Sequence, residues 1–445
     1  MKNKIKIGLT LFLLGGISLS LSSCNYINDF INGFKSSSSN SNTNTNTSTT
    51  INITTGTSSS SKIDEIKNEG IIYDDFQIHF MMLGNDKAGD SIYIKAGDTD
   101  VIIDAGSRQQ STITTKEYMN NYITDNKIEY VILTHGDQDH VDGFTDTNNN
   151  KGILSSYQID TIIDNKYTNK TTSTYNKYLT LRDDLVKNGT KHYYAGDCFD
   201  NINGAKREYQ LSDKVTMSIL YNYYYFNQGS DENNYSVCTM FTYDNGDNKY
   251  NFMFTGDLEK DGEEKMAAYY DKSTSDKTLP EVELFKAGHH GSKTSSNDCL
   301  LSLIKPKMCI VSCCCGTNEY TAITNNQFPT QEFISRISKY TDNVYVTSIY
   351  ENYTIKKAGQ AIDKDGNPKV DKDGNPVSDT TGVKVNGEYI STSGFKAMNG
   401  NIIVSCEKEG IGLAASNNLI KLKDSEWFNT KITIDGIERP MRVWE

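Results

Sequence analysis

The chain has no Lys/Arg-dense run, and its formal net charge is −12. No broad basic face for non-specific nucleic-acid binding is visible. Nucleic acid stays open as a substrate only if bound cations supply the local positive charge. Apolar residues make up only 36% of the chain, but 28 tyrosines offset this. Tyrosine lines a core wherever its hydroxyl reaches a polar partner. The nine cysteines show no C-x-x-C spacing and no disulfide framework. Cys309 lies in an apolar run, where cysteine acts as a small hydrophobe, and Cys313-Cys314-Cys315 reads as the buried end of that strand. The apolar stretch from Ile7 to Leu21 is too short, and too interrupted by Gly and Ser, to cross a membrane. Histidine is scarce as well: there are six, and four of them fall in two clusters.

What is present at the N-terminus is a processing signal. Lys2, Lys4 and Lys6 form a positive start, the apolar stretch follows, and Leu21-Ser22-Ser23-Cys24 ends it. The pattern resembles a bacterial lipobox, in which the cysteine receives lipid and becomes the new N-terminus. Residues 1–24 are therefore expected to be a signal peptide and lipobox. The expected location is the extracytoplasmic face of the cell membrane, with several acyl chains on Cys24 needed for stable anchoring. From Ser36 to Ser61 the chain is almost purely Ser, Asn, Thr and Gly. Such a segment buries too little apolar surface to offset the entropy of ordering, so residues 25–75 are expected to be a disordered tether.

The folded part is expected to start near Phe76. Residues 78–82, 91–96 and 100–104 read as strands, followed by a helix from about Thr115 to Asn126 and a continuous apolar strand, Tyr130–Leu133. Tyr175–Val186 has helical spacing and is stopped by Asn188-Gly189. Strands follow at 216–220, 237–243, 250–255, 282–287 and 308–312, interleaved with helices at 260–270 and 330–340. Strands alternating with helices outside the sheets give an α/β or α+β class with covered sheets. Asp363-Lys364-Asp365-Gly366-Asn367-Pro368 recurs eight residues later as Asp371–Pro376. It lacks the remaining ligands of a calcium loop and reads as turns in a polar insertion. The strands at 344–347 and 399–404 are expected to pair, with that insertion between them.

The chemistry-bearing signal is Thr134-His135-Gly136-Asp137-Gln138-Asp139-His140, directly after a buried strand. Four donor residues within six positions can be aimed at one spot, and imidazole with carboxylate suits zinc, manganese or iron. Two further apolar strands end in donors: Phe252–Phe254 runs into Thr255-Gly256-Asp257, and Val282–Ala287 runs into Gly288-His289-His290-Gly291-Ser292. A glycine before each donor allows a sharp turn and leaves room at the metal.

H-x-D-x-D-H, then T-G-D, then G-H-H-G-S resembles the metallo-β-lactamase superfamily, and more narrowly the hydrolase domain of ComEC-type competence proteins. Gly84–Ser91, Ile103-Asp104-Ala105-Gly106, Asn234-Tyr235-Ser236-Val237 and Lys305-Pro306 match as well. The resemblance implies a four-layered αββα sandwich over residues 76–348 plus the strand at 399–406; the residues themselves read as a polar insertion at 349–398, with strands in 399–445 that complete or pack on the domain. It implies two divalent ions, zinc or manganese. His135 and Asp137 would hold one; Asp139, His140 and one of the paired histidines would hold the other, with Asp257 bridging. His289 is preferred as the ligand because it follows the small residue at the strand end, which leaves His290 as proton donor or substrate contact. Asp139 would also orient the attacking water, and Asp104 would support ligands from behind. Ser292, Lys293 and Thr294 either hold phosphate oxygens or form a plain surface turn; with Asn234 they are the expected substrate-binding set. His79 and His192 lie outside any motif and read as structural.

Two departures bear on the first ion. Asp137 stands where many relatives have histidine, and Asn233-Asn234 precede the bridging Asp257 where many supply another. That position is richer in oxygen, which suits manganese or magnesium better than an all-histidine site would. The expected function is an exported, lipid-anchored hydrolase using a metal-activated water on a phosphodiester-type substrate, possibly DNA. The alternatives are a hydrolase of another ester, lactone or cell-wall phosphoester, or an inactive metal-bearing binding lipoprotein. No protein partner is evident. ComEC's channel segments are absent, so a role in DNA import does not carry over.

Overall fold

A computed structural model describes residues 70–83, 89–106, 109–272, 277–315, 327–349, 354–357, 370–375, 384–385, 388–391, 399–429, 431–434, 437–440 and 442–445. The expected leader with Cys24, the tether up to residue 69, residues 84–88, the first D-K-D-G-N-P copy and most of the 349–398 insertion lie outside these residues.

Two large mixed sheets form the domain. The first is ordered β18-β17-β1-β2-β3-β4-β5-β6, with β1 Phe76–Phe80, β2 Ile92–Ala96, β3 Thr99–Ile103, β4 Lys127–Ile132, β5 Gln158–Asp164, β6 Lys191–Tyr194, β17 Ile402–Glu407 and β18 Gly410–Ala415. The second is ordered β13-β12-β11-β10-β9-β8-β7, with β7 Glu208–Ser212, β8 Val215–Ile219, β9 Thr239–Asp244, β10 Lys249–Phe254, β11 Leu284–Lys286, β12 Cys309–Cys315 and β13 Val344–Ile349; β14 Thr354–Lys357, β15 Lys384–Val385 and β16 Glu388–Ser391 form a small sheet of their own. Pairing turns from antiparallel to parallel at β3 in the first sheet and at β10 in the second. Ligand sites in such sheets collect at strand carboxyl ends near a change of direction, and both sheets offer one.

Alternation along β1 shows how the layers stack. Phe76, Ile78 and Phe80 point into the core between the sheets, where Phe76 meets Phe241 and Phe252, and Phe80 meets Phe254, at ring separations of 5.3–6.2 Å. Gln77 and His79 point the other way; His79 bonds Tyr118 (2.8 Å) on the helix Gln109–Met119 and Gln77 (3.1 Å). His192 bonds Asp164 at 2.8 Å, beneath the helix Ser173–Lys187. Both of these histidines are structural, as expected. The outer face of the second sheet is covered by the helices Lys260–Tyr269, Asp298–Ile304 and Gln331–Ile337, with Trp427 fully buried among them. The expected αββα sandwich is what the chain builds.

Three expectations are corrected. Ordered chain begins before Phe76, because Tyr73 is buried and its amide donates to Ser405 Oγ (2.9 Å). The helix expected at 115–126 is Gln109–Met119; the Asn121 side chain donates to the Glu117 and Tyr118 carbonyls and ends it. The strands near 344 and 402 do not pair. β13 lies parallel to β12 in the second sheet, while β17 lies between β1 and β18 in the first. Alternating apolar residues mark both as strands but carry no information about which partner each finds. No helix among the described residues is long and apolar enough to cross a membrane.

Candidate metal centre

The centre is built from strand ends of both sheets. β3 ends in Asp104, whose left-handed backbone (φ 56°) turns its carboxylate back toward the neighbouring strand end. There it accepts the Thr134 amide (2.8 Å), the Thr134 hydroxyl (2.7 Å) and His140 Nδ1 (2.8 Å). β4 runs into His135 and then the short helix Gln138–Val141, which carries Asp139 and His140. From the second sheet, β10 runs into Asp257 and β11 into His289 and His290. Gly256 is required where it stands: its φ is +53°, and a Cβ would lie 2.9 Å from Thr134 Cβ and Ser236 Oγ. This is the point where the ends of the two sheets touch.

The paired histidines both adopt left-handed backbone, with φ of 44° and 53°. Such residues cost on the order of 1–3 kcal/mol each and persist only where surroundings enforce them. Here the His289 amide donates to the Gly256 carbonyl (3.2 Å) and the Ser292 amide to the His289 carbonyl (2.8 Å). The turn splays two adjacent rings to 76° with centroids 6.0 Å apart, so both face the centre.

Hydrogen bonding fixes one tautomer in all four imidazoles. His140 Nδ1 faces the Asp104 carboxylate at 2.8 Å, His290 Nδ1 the Ser312 carbonyl at 2.8 Å, and His289 Nδ1 the Glu259 carboxylate at 3.1 Å. His135 Nδ1 faces Thr134 Oγ1 at 3.0 Å, whose proton is committed to Asp104. Each partner can only accept, so each Nδ1 carries a proton and Nε2 is the atom each ring leaves for a cation, which would displace any proton held there. His135 Nε2 is buried without a hydrogen-bond partner.

The Nε2 atoms and carboxylates converge. Asp257 Oδ2 lies 3.2 Å from His140 Nε2 and 3.2 Å from His290 Nε2. Asp139 Oδ2 lies 3.6 Å from His290 Nε2 and 4.0 Å from His140 Nε2. Donors about 2.0–2.1 Å from a tetrahedral ion lie about 3.3–3.4 Å apart, so the spacing of Asp257 from His140 and His290 suits one divalent cation, with Asp139 beside it as a fourth donor. The electrostatics agree. Burial would depress His290, yet Asp257 and Asp90 push its imidazole up to about 10. Burial would raise Asp257, yet His290, His140 and His289 hold its carboxyl well below the usual range. A carboxylate field strong enough to hold protons on buried imidazoles is one that favours a cation in their midst.

The structure brings His135, Asp137, Asp139, His140, Asp257, His289 and His290 to one place, with the order of the paired histidines corrected. His290 meets Asp257 and Asp139, whereas His289 Nε2 is 3.9 Å from Asp257 and lies on the open side of the centre. The reason is the left-handed turn, which carries the second ring inward beneath Phe328 (rings stacked, 6.3 Å). Asn234, Lys293 and Thr294, from the expected substrate-binding set, all line the cavity beside His289, and Asn234 has a structural task as well. Its side-chain carbonyl accepts the Glu259 and Gly262 amides (3.2 Å each), so it braces the segment after Asp257. The Thr294 hydroxyl donates to Glu259 at 2.8 Å and lies 2.9 Å from the Ser292 hydroxyl, while Lys293 is exposed. Beside His289 opens a cavity of about 690 Å³ lined in part by Tyr224, Asp231, Glu259, Lys260, Asp261 and Lys293.

Sequence reasoning missed Lys286, Glu259 and the Ser312 carbonyl. Lys286 is buried, ion-paired with Asp90, and 3.8 Å from Asp257 Oδ1. A lone lysine inside an apolar strand was the available signal. Asp90 groups with His140, Asp257 and His290 as a possible metal-holding set. Its carboxylate, however, approaches the Nδ1 side of His290 (3.5 Å) and of His140 (4.0 Å). It therefore stands behind the ligands, where it partners Lys286.

Comparison with known proteins gives a partial match in sequence. Residues 84–146 match the family model described as metallo-beta-lactamase superfamily. "Recombination protein 2" of Haemophilus influenzae is 36% identical over 66 residues, which is 15% of this chain and only 7% of that protein. Among solved structures, the metallo-beta-lactamase fold protein YhfI from Bacillus subtilis is 10% identical, covers 62% of this chain and 97% of its own, and gives a TM-score of 0.34. A probable metal-dependent hydrolase from Staphylococcus aureus is 15% identical over 41% of this chain and 73% of its own, with a TM-score of 0.24.

Proposed function

We propose that this chain, a metal-dependent hydrolase of the metallo-β-lactamase superfamily, is a phosphodiesterase held at the outer face of the cell membrane by lipid on Cys24. The observation that carries the metal-dependent reading is the shared tautomer. Four Nε2 lone pairs and the Asp139 and Asp257 carboxylates converge, and each imidazole is oriented from behind by an acceptor.

Asp139, His140, His290 and Asp257 would hold a divalent ion, zinc or manganese. Bound there, the cation supplies Lewis-acid polarisation and neutralises developing negative charge. The chain's own groups do the rest. Asp139 can orient the attacking water through its carboxylate. His289 is placed to manage a proton: Nδ1 is committed to Glu259, so Nε2 can accept one and return it to the leaving oxygen. Burial would raise Glu259, but bonds from His289 and Thr294 draw it down to about 2, so it stays ionised behind the imidazole. The role assigned from sequence to His290 thus moves to His289.

The cavity beside His289 favours a compact phosphodiester over a long polyanion. Asp231, Glu259, Asp261 and Glu264 outnumber Lys260 and Lys293 along it, and like charges disfavour nucleic acid there. The test gives the purified full-length chain bis(p-nitrophenyl) phosphate and plasmid DNA with zinc or manganese, against a chelator and Asp139→Ala. Turnover of the aryl phosphodiester that both controls abolish is the expected result; DNA cleavage would restore the nuclease reading, and metal binding without turnover would make the chain a binding protein. Incorporation of labelled palmitate that Cys24→Ala removes tests the anchor.

A further inference from the structure

The His135–Asp137 position differs from its neighbour in what already stands against it. Asp137 Oδ2 lies 3.5 Å from His135 Nε2, but its other oxygen, Oδ1, is ion-paired with the Lys170 ammonium. Lys170 belongs to the loop between β5 and the helix Ser173–Lys187, and that loop is tied to the donor-bearing turn by one carboxylate. Glu232 Oε1 accepts the Gly136 amide (2.9 Å) and the Thr168 hydroxyl (2.8 Å), while Glu232 Oε2 accepts the Asn169 amide (2.5 Å). The Lys170 amide in turn donates to Thr168 Oγ1 at 2.9 Å. Lys170 is therefore placed on Asp137 by a braced loop and not by a free side chain swinging in from solvent.

Donor supply at this position is thin. A catalytic zinc needs about three protein ligands. Here one imidazole and one half-engaged carboxylate are set at ligand spacing, whereas four donor atoms close around the neighbouring position. A dication beside Asp137 would also sit against the ammonium, and like charges in a partly buried site repel strongly.

We propose that the Lys170 ammonium serves as the cation at the His135–Asp137 position, so that the chain holds one tightly bound divalent ion, at Asp139, His140, His290 and Asp257, instead of two. The inference rests on the metal-dependent reading of this centre. Lys170 offers three N–H donors and a fixed positive charge to a phosphate oxygen, without Lewis acidity. His135 Nε2, buried and without a hydrogen-bond partner, is left as an acceptor for the water beside it.

Metal content tests this without reference to activity. The full-length chain and its Lys170→Arg, Lys170→Met and Lys170→Gln variants are equilibrated with micromolar zinc or manganese, desalted, and assayed for metal per chain by mass spectrometry, with thermal melts to verify folding. The expected result is about one ion for wild type and Lys170→Arg. Lys170→Met and Lys170→Gln should gain a second ion, which a further Asp137→Asn removes. Two firmly held ions in the wild type, or no gain in either neutral variant, would overturn the assignment. No bound ion in the wild type would sink both this assignment and the metal-dependent reading. One ion per chain with no phosphodiester turnover would defeat the proposed function while leaving the assignment of Lys170 standing.

Discussion

The two sheets supply the centre in different ways. The first delivers His135, Asp137, Asp139 and His140 from one turn after β4, and that turn is braced close by, through Asp104 at the end of the adjacent strand β3. The second delivers Asp257 and the paired histidines from two strand ends, and its bracing is shared among a strand and two helices. Ser312 within β12 holds His290, Glu263 holds the Ser296 and Asn297 amides, and Arg336 donates to the Ser295 and Ser296 carbonyls. One half of the centre is thus a single continuous turn held mainly by Asp104, with Glu232 on its Gly136 amide, and the other depends on two strand ends and several elements packing at once. Remote substitutions should accordingly reach the centre more readily through the second sheet.

The largest effect is expected where the halves meet. Asp257 Oδ2 lies within 3.9 Å of His140, His289 and His290 Nε2, so Asp257→Ala removes the carboxylate common to three imidazoles. Metal content should fall to the background of a chelated sample. Hydrolysis should drop by at least about 10²–10³-fold, the scale of losing one essential electrostatic partner. A variant that kept its ion and most of its turnover would show that the first sheet's turn is sufficient alone.

The same contrast decides what could be read from sequence. The H-x-D-x-D-H run was legible because its donors are neighbours in the chain after an obvious strand. Asp257 and the histidine pair were legible as donors because each ends an apolar run with a glycine before it. Which histidine turns inward was not, because the order depends on two successive left-handed residues that no residue type announces. Asn234 lines the cavity, as its motif suggested, and also accepts the Glu259 and Gly262 amides; the motif match did not announce that second, loop-shaping task. The pairing of β13 and β17 was misjudged for a related reason, since alternation names a strand's faces but not its neighbour.

The locally braced half can be probed through Asp104. Asp104→Asn removes the charge behind His140 and can present an N–H where an acceptor is required. Loss of such a partner typically costs about 10–100-fold in metal affinity or activity. The expected outcome is a metal dissociation constant raised by that factor, read by competition with a chelating dye. An unchanged constant would mean that His140 is oriented by packing alone.

The remotely braced half has a pH signature at Glu263. Burial is the main influence on this carboxyl, and despite amide bonds from Ser296 and Asn297 it is pushed up to about 7. An unfolded chain releases this proton near 4.5, while the folded chain keeps it to about 7. Between those values the folded state binds more protons, so stability from this group is full below pH 4.5 and declines as pH rises through 7. The loss is on the order of 3 kcal/mol at most. Urea midpoints for the wild type should fall between pH 5 and 7.5 more steeply than for Glu263→Gln, whose lower starting stability is not titrated. Parallel slopes would place the titration elsewhere.

The smallest effect should fall on the first sheet's covering helix. Thr172 caps the helix Ser173–Lys187, accepting the Tyr175 amide at 3.2 Å. Thr172→Ala should cost about 1 kcal/mol and lower the melting midpoint by a few degrees, on the order of 2–4 °C. The cap sits two residues from Lys170, yet Lys170 is fixed through Thr168 and Glu232 and not through the helix end. Metal content and turnover should therefore hold within about twofold, a span worth about 0.4 kcal/mol. If turnover fell in step with stability, the loop would be borrowing its order from the helix, and the first half of the centre would be as dependent on distant packing as the second.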